Sequence, residues 1–145
     1  MRHHNKSIET VVHDPNLLRF AASGVLFIIG ILGTLGGLSL VLEPNGSTLG
    51  LSLNQLTNAP FKNYLIPGIL LITVIGIDSL ALAYFAYKNL AFSAPLIIIQ
   101  GIVLIVWLLV EYTYGFVYPI VQIPGVILGV TIIVLGIRLN RYLPS

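Results

Sequence analysis

The sequence predicts an all-α integral membrane protein, a four-helix bundle of up-down connectivity with a short interfacial helix in its first outer loop. Three observations carry this. Hydrophobic residues make up 57% of the 145-residue chain and charged residues 8%, against roughly 25% charged in a soluble domain. The apolar residues gather in four runs, about 20–42, 64–87, 90–110 and 116–137, with the charges almost entirely between them. At about 1.5 Å per residue each run is long enough to cross a hydrocarbon core of roughly 30 Å. That core offers no water to an unpaired amide, so the runs must close their backbone hydrogen bonds as helices.

Residues 1–16 read as a polar tail, followed by a single transmembrane domain over 17–142. The tail carries His3, His4 and His13. Adjacent histidines with neither helical spacing nor carboxylate partners make a poor metal site, and no metal is expected. Asp14 or Asn16 is suited to cap a helix beginning near Leu17. The first span exceeds the apolar core of a signal peptide, follows a polar tail, and has no small-x-small motif at Leu38 to Pro44, so it is expected to be retained. It carries Gly30, Gly33 and Gly37, the last two at G-x-x-x-G spacing. Small residues four apart let helix backbones approach closely. These three are expected to pack helices, either within the bundle, which the needs of a bundle favour, or as a homodimer seam or the seat of a partner helix.

The outer loop, 43–63, opens on the turn residues Pro44, Asn45 and Gly46. Ser52-Leu53-Asn54-Gln55 fits a capping box. It predicts an interfacial helix that directs Leu53 and Leu56 at the membrane and stops at Pro60. Pro67-Gly68 then falls just inside the second span, where proline is tolerated in the first turn or kinks the helix.

Asp78 is the single charge inside the four runs. A carboxylate at that depth costs at least ~2.5 kcal/mol, so it is expected to face the protein. Counted from the adjoining turn, Gln100 of the third span lies at similar depth, which predicts an Asp78–Gln100 hydrogen bond. That pair either sets helix register or handles a proton or cation.

A second polar group gathers near the outer surface. Trp107 and Glu111 are one helical turn apart, Gln122 opens the fourth span, and Glu43 closes the first. These four either line a shallow outward pocket or form an interfacial belt of solvated groups.

Arg2, Lys6, Arg19, Lys88, Arg138 and Arg141 fall on one side of the spans and Lys62 alone on the other. Basic residues flanking spans stay inside, which predicts cytoplasmic termini and a cytoplasmic middle connection. The aromatic residues mark the same two interfaces, with Phe61, Tyr64, Tyr112, Tyr114, Phe116 and Tyr118 at one and Tyr84, Tyr87, Phe92 and Tyr142 at the other.

The chain has no cysteine, which excludes thiol chemistry and thiolate metal sites. The spans hold no catalytic triad, phosphate loop or heme-ligating pair. No cofactor and no nucleic-acid partner are expected.

The segments Glu43-Pro44-Asn45-Gly46-Ser47, Leu49-Gly50, Ala59-Pro60-Phe61 and Tyr64-Leu65-Ile66-Pro67-Gly68, with Trp107-x-x-x-Glu111 and Gln122 before a glycine-bearing last span, resemble a widespread group of small bacterial four-transmembrane-helix proteins of unassigned function. The resemblance covers most of the chain after residue 20 and implies a four-helix fold in a bacterial cytoplasmic (inner) membrane. It implies no activity, and Asp78 lies outside its pattern. Small multidrug transporters depend on a glutamate within the first helix, which this span lacks before Glu43 at its end. Quinone-linked disulfide enzymes of similar size need cysteines.

Two functions lead at the level of sequence, ahead of an enzyme acting on a lipid-soluble substrate, which would have to use Glu111, Trp107 and Gln122. One is a non-enzymatic membrane protein acting through its helices and outer loop on lipid, a membrane-protein partner or a second copy of itself. The other is a small oligomeric transporter or channel in which Asp78 handles a proton or cation.

Overall fold

A computed structural model describes residues 14–116 and 118–142. His3, His4 and His13, and the basic residues Arg2 and Lys6, lie outside them. Among the described residues the chain is all-helical, with four helices long and apolar enough to cross a membrane and no strand. They are α1 (Pro15–Leu42), α2 (Leu65–Tyr87), α3 (Ser93–Thr113) and α4 (Pro119–Asn140).

Each boundary has a local cause. Asp14 caps α1 by accepting from the Asn16 amide (2.9 Å), and Pro15 fills the first position, where a missing amide costs nothing. α2 ends where Asn89 takes φ +58°, with Asn89 N–H donating to Ala86 O (3.0 Å) and Leu90 N–H to Phe85 O (3.1 Å). α3 ends the same way at Gly115, φ +87°, through Gly115 N–H to Tyr112 O (3.1 Å) and Phe116 N–H to Glu111 O (3.0 Å). Both are Schellman closures, which satisfy carbonyls that a helix end leaves unpaired. The third and fourth helices consequently run about three residues later than the apolar runs at 90–110 and 116–137. Apolarity does not separate the last residue of a turn from the first of a helix, whereas Pro119 at the first position of α4 does. Pro67 falls in the first turn of α2, as its third residue.

The glycines seat the helices in antiparallel pairs. A Cβ on Gly37 would lie 2.6 Å from Gly68 O, one on Gly33 3.0 Å from Gly76 N, and one on Gly30 2.6 Å from Leu80. Gly30, Gly33 and Gly37 thus face α2 of their own chain. Ser23 adds a cross-helix bond by donating to Ala83 O (2.8 Å). The α3–α4 pair is built alike: a Cβ on Gly101 would lie 2.9 Å from Gly129 O, and one on Gly136 3.1 Å from Ile98 N. Close approach of backbones maximises dispersion contact where lipid removes the hydrophobic incentive to associate. The two pairs meet through a core that includes the small residues Ala22, Ala83, Ala86 and Ala94 at the end opposite the long loop.

The middle of α2, Leu71–Ile77, is π-helical, and the Asp78 amide donates to Thr73 O, five residues back. Returning from this wider pattern to the α pattern leaves a carbonyl at the junction without its intrahelical donor. Gln100 of α3 supplies one: its Nε2 donates to Val74 O (2.9 Å) and to Ser79 Oγ (3.0 Å).

Candidate functional site

The connection between α1 and α2 folds back over the bundle end. Gly46 and Gly50 take positive φ (+81° and +67°), and two 3-10 turns follow at Ser47–Leu49 and Leu53–Leu56. Ser52 caps the second: its hydroxyl accepts from the Asn54 amide (3.3 Å), while its own amide donates to Gln55 Oε1 (3.1 Å). The capping box therefore forms, but on a single 3-10 turn, too short to be called a helix of any independent stability. Leu53 is exposed, whereas Leu56 turns inward and is buried with Leu40 and Tyr64. The expectation that both leucines face the membrane fails for Leu56, because the loop packs its own apolar residue onto the bundle end.

Tyr64 holds this loop down. Its side chain is 2% exposed, and its ring packs edge-on against Phe116 at 5.6 Å. Its hydroxyl donates to Ser52 O (2.8 Å), and its amide donates to Pro44 O (2.8 Å). Burial, followed by the neighbouring Tyr118, pushes the Tyr64 phenol up to about 12. Gln55 Nε2 donates to Tyr118 Oη (2.8 Å), tying the loop to the start of α4. No room exists for a side chain at Gly46, where a Cβ would lie 2.8 Å from the Tyr64 ring.

Beneath the loop lies a cavity of about 690 Å³. All four helices line it, reaching the bundle's mid-length at Ile29, Ile75 and Leu104, and the loop roofs it with Leu49, Leu51, Leu56 and Phe61. Its polar groups sit at the loop end. Trp107 Nε1 donates to Glu111 Oε1 (2.7 Å), and Gln122 Nε2 donates to Phe116 O. Tyr64, Tyr114 and Tyr118 also reach it.

Of the sequence-predicted outer cluster, Trp107, Glu111 and Gln122 line this one cavity and Glu43 does not. Glu43 is exposed at the end of α1 and accepts from the hydroxyls of Ser47 and Thr48 (2.7 Å for Thr48). The expected four-residue cluster is corrected to three, because the turn at Pro44 to Ser47 gives Glu43 closer partners within its own loop. The Ser47 hydroxyl, and after it that of Thr48, holds the Glu43 carboxyl below its ordinary value.

The expected Asp78–Gln100 bond is absent. Gln100 is 5% exposed and spends its amide on Ser79, which is fully buried, and on Val74 O. Asp78 is exposed on the outside of the bundle, and its carboxyl has no hydrogen-bond or ion-pair partner among the described residues. The buried face of α2 carries Ile75, Ser79, Leu82 and Ala86 at four- and three-residue spacing, and Asp78 stands one residue, about 100° of helical turn, off that stripe. The small residues Gly76, Ser79, Ala83 and Ala86 carried this signal in the sequence, and equal depth alone could not substitute for it. Tyr64, Gln55 and Tyr118, absent from the sequence-predicted site, join it through tertiary contact alone.

No protein-family model matches this chain, and neither a curated protein nor a solved structure matches it.

Proposed function

We propose that this chain is a non-enzymatic, multi-pass protein of a bacterial cytoplasmic (inner) membrane that holds the apolar chain of a lipid or another membrane-soluble amphiphile beneath its outer loop. In this reading the four helices form an up-down bundle, both termini are cytoplasmic, and the two 3-10 turns lie at the outer interface. The charge distribution supports the orientation: Arg19, Lys88, Arg138 and Arg141 gather at the end opposite the loop, with Lys62 alone in it. Lys88 lies over the Tyr84 ring at 5.7 Å and Arg19 over Phe20 at 4.8 Å, as aromatic and basic side chains pair at an interface.

The cavity carries the functional reading. Its volume suits a ligand of lipid-chain size, its walls are mostly hydrocarbon to mid-span, and its few polar groups stand together at one end. That polarity profile is the profile of an amphiphile. Trp107 lines the cavity and is the chain's single tryptophan, so its emission reports occupancy. In mild detergent, a bromine-labelled dodecanol at low mole fraction is expected to quench Trp107 saturably, and unlabelled dodecanol to reverse the quenching. Quenching that rises linearly with mole fraction and resists displacement would reflect bulk partitioning and overturn the proposal.

Asp78 favours a second reading, an oligomeric transporter or channel. A carboxylate facing lipid near mid-span is costly by at least ~2.5 kcal/mol, so a second copy or a partner helix is needed to cover it. A protomer that migrates alone in gentle detergent, with Asp78→Leu unchanged in yield and proton flux, removes this reading.

A further inference from the structure

The site proposed above has a charge preference. Among the described residues, tyrosines apart, Glu111 is the only ionisable one lining the cavity, and no lysine or arginine reaches it. Among the described residues the carboxyl has one donor, the Trp107 indole (2.7 Å), and no ion pair. A carboxylate in a largely apolar wall with a single neutral donor is undersatisfied, because an ionised group accepts several hydrogen bonds and gains most from an opposite charge. Around the same end stand Trp107, Tyr64, Tyr114 and Tyr118, whose ring faces attract cations.

Resting on the amphiphile reading, we propose that the preferred ligand is a cationic amphiphile, an amine or quaternary ammonium headgroup on a single apolar chain. The headgroup sits against Glu111 among the aromatic rings, and the chain runs down toward Ile29 and Ile75. An anionic headgroup meets an acidic side chain with no base to offset it, so anionic lipids are disfavoured. A neutral headgroup gains the apolar part of the interaction alone. The loop gives the occupant its route: Leu49, Leu51 and Leu56 roof the cavity from a segment held by a few hydrogen bonds through Tyr64 and Gln55.

The experiment is competition against the bromine-labelled dodecanol on Trp107 fluorescence, using dodecyltrimethylammonium, dodecanol and dodecyl sulfate as displacers. The cation is expected to displace the probe at a mole fraction roughly ten-fold below that of dodecanol, since a charge and cation–π contact at a desolvated site is worth about that factor. Dodecyl sulfate is expected to be the weakest. Glu111→Gln keeps an acceptor for the indole and removes the charge. It should bring the cation to within about two-fold of dodecanol, by the same arithmetic; a far-ultraviolet circular dichroism spectrum and a detergent elution volume equal to those of the native chain show that the variant is folded. Equal displacement by cation and alcohol in the native chain, or a cation preference that survives Glu111→Gln, overturns the charge preference and leaves the cavity reading standing. Absence of any displaceable quenching overturns both.

Discussion

Gln100 donates its side-chain amide to the hydroxyl of Ser79, 3.0 Å away, and to the carbonyl of Val74. One amide thus closes two polar groups at the place where the second helix leaves its π-helical segment. The neighbouring Asp78, the residue that composition makes conspicuous, takes no part.

Gln100→Ala is therefore expected to destabilise the bundle by about 0.6 to 1.7 kcal/mol, the range seen for hydrogen bonds between membrane helices. Asp78→Asn is expected to leave the bundle at least as stable as the native chain, because it removes a carboxyl that faces lipid and makes no side-chain bond within the bundle. Unfolding equilibria of the two variants in one detergent check both; the reverse ranking would return Asp78 to the core.

Helix seating makes a second contrast. Gly37→Ala places a methyl 2.6 Å from Gly68 O and 2.8 Å from Ile72 N, both backbone atoms that cannot swing aside. It is expected to cost about 1–3 kcal/mol, as overpacking does. Gly24→Ala meets nothing within 4 Å and gains up to ~1 kcal/mol of helix propensity. Thermal denaturation of the two proteins should move in opposite directions.

The loop offers a third test at Lys62, its single basic residue. Gly46→Ala combines a positive φ with contact on Leu51 and the Tyr64 ring, whereas Gly50→Ala carries the positive φ alone in open space. Gly50→Ala is expected to cost about 1–2 kcal/mol of backbone strain and Gly46→Ala more, because Tyr64 must also move. Tryptic cleavage after Lys62, which follows local opening of the loop, should be faster in Gly46→Ala than in Gly50→Ala, and slowest in the native protein. Equal rates would mean that Tyr64 does not hold the loop.

Glu43 gives the loop a pH dependence. Its carboxyl lies below the ordinary value of 4.5 in the folded chain because Ser47 and Thr48 donate to the ionised form. A depressed folded value contributes stability that is fully present above the unfolded value and is lost as pH falls through the folded one. Protection of the loop amides against hydrogen exchange is thus expected to be flat above about pH 5 and to fall on acidification below it. Glu43→Gln should lose that dependence. The group is fully exposed, so the effect is confined to the loop and weakens with salt.

The parts of the fold that were legible are those where the bilayer imposes a rule on every residue. Four apolar runs of about 20 residues, broken only by Asp78, specify four helices because a segment of that length closes its backbone bonds within itself in hydrocarbon only as a helix. The capping box at Ser52 and the cap at Asp14 were legible because each is a local bond between residues two or three apart. Helix ends were read about three residues early in α3 and α4, because the Schellman turns at Asn89 and Gly115 are flanked by apolar residues that look like span. The grouping of Trp107, Glu111 and Gln122 at one end followed from depth. Glu43 has the same depth and a different environment, since depth does not say which way a side chain turns.

What the sequence by itself determined is the set of helices, their approximate limits and the glycine stripe along the first of them. Those follow from length, hydrophobicity and local hydrogen bonds, which act residue by residue. The tertiary structure alone decided that the stripe meets Gly68 and Gly76 within the same chain, and that Gln100 serves Ser79 and Val74 instead of Asp78. It also decided that Tyr64 folds the loop over a cavity. Each of these depends on helix rotation and on the extra residue of the π segment, which turns one face of α2 relative to the next. Such a rotation is set by how surfaces interlock across the bundle, and no single segment carries it.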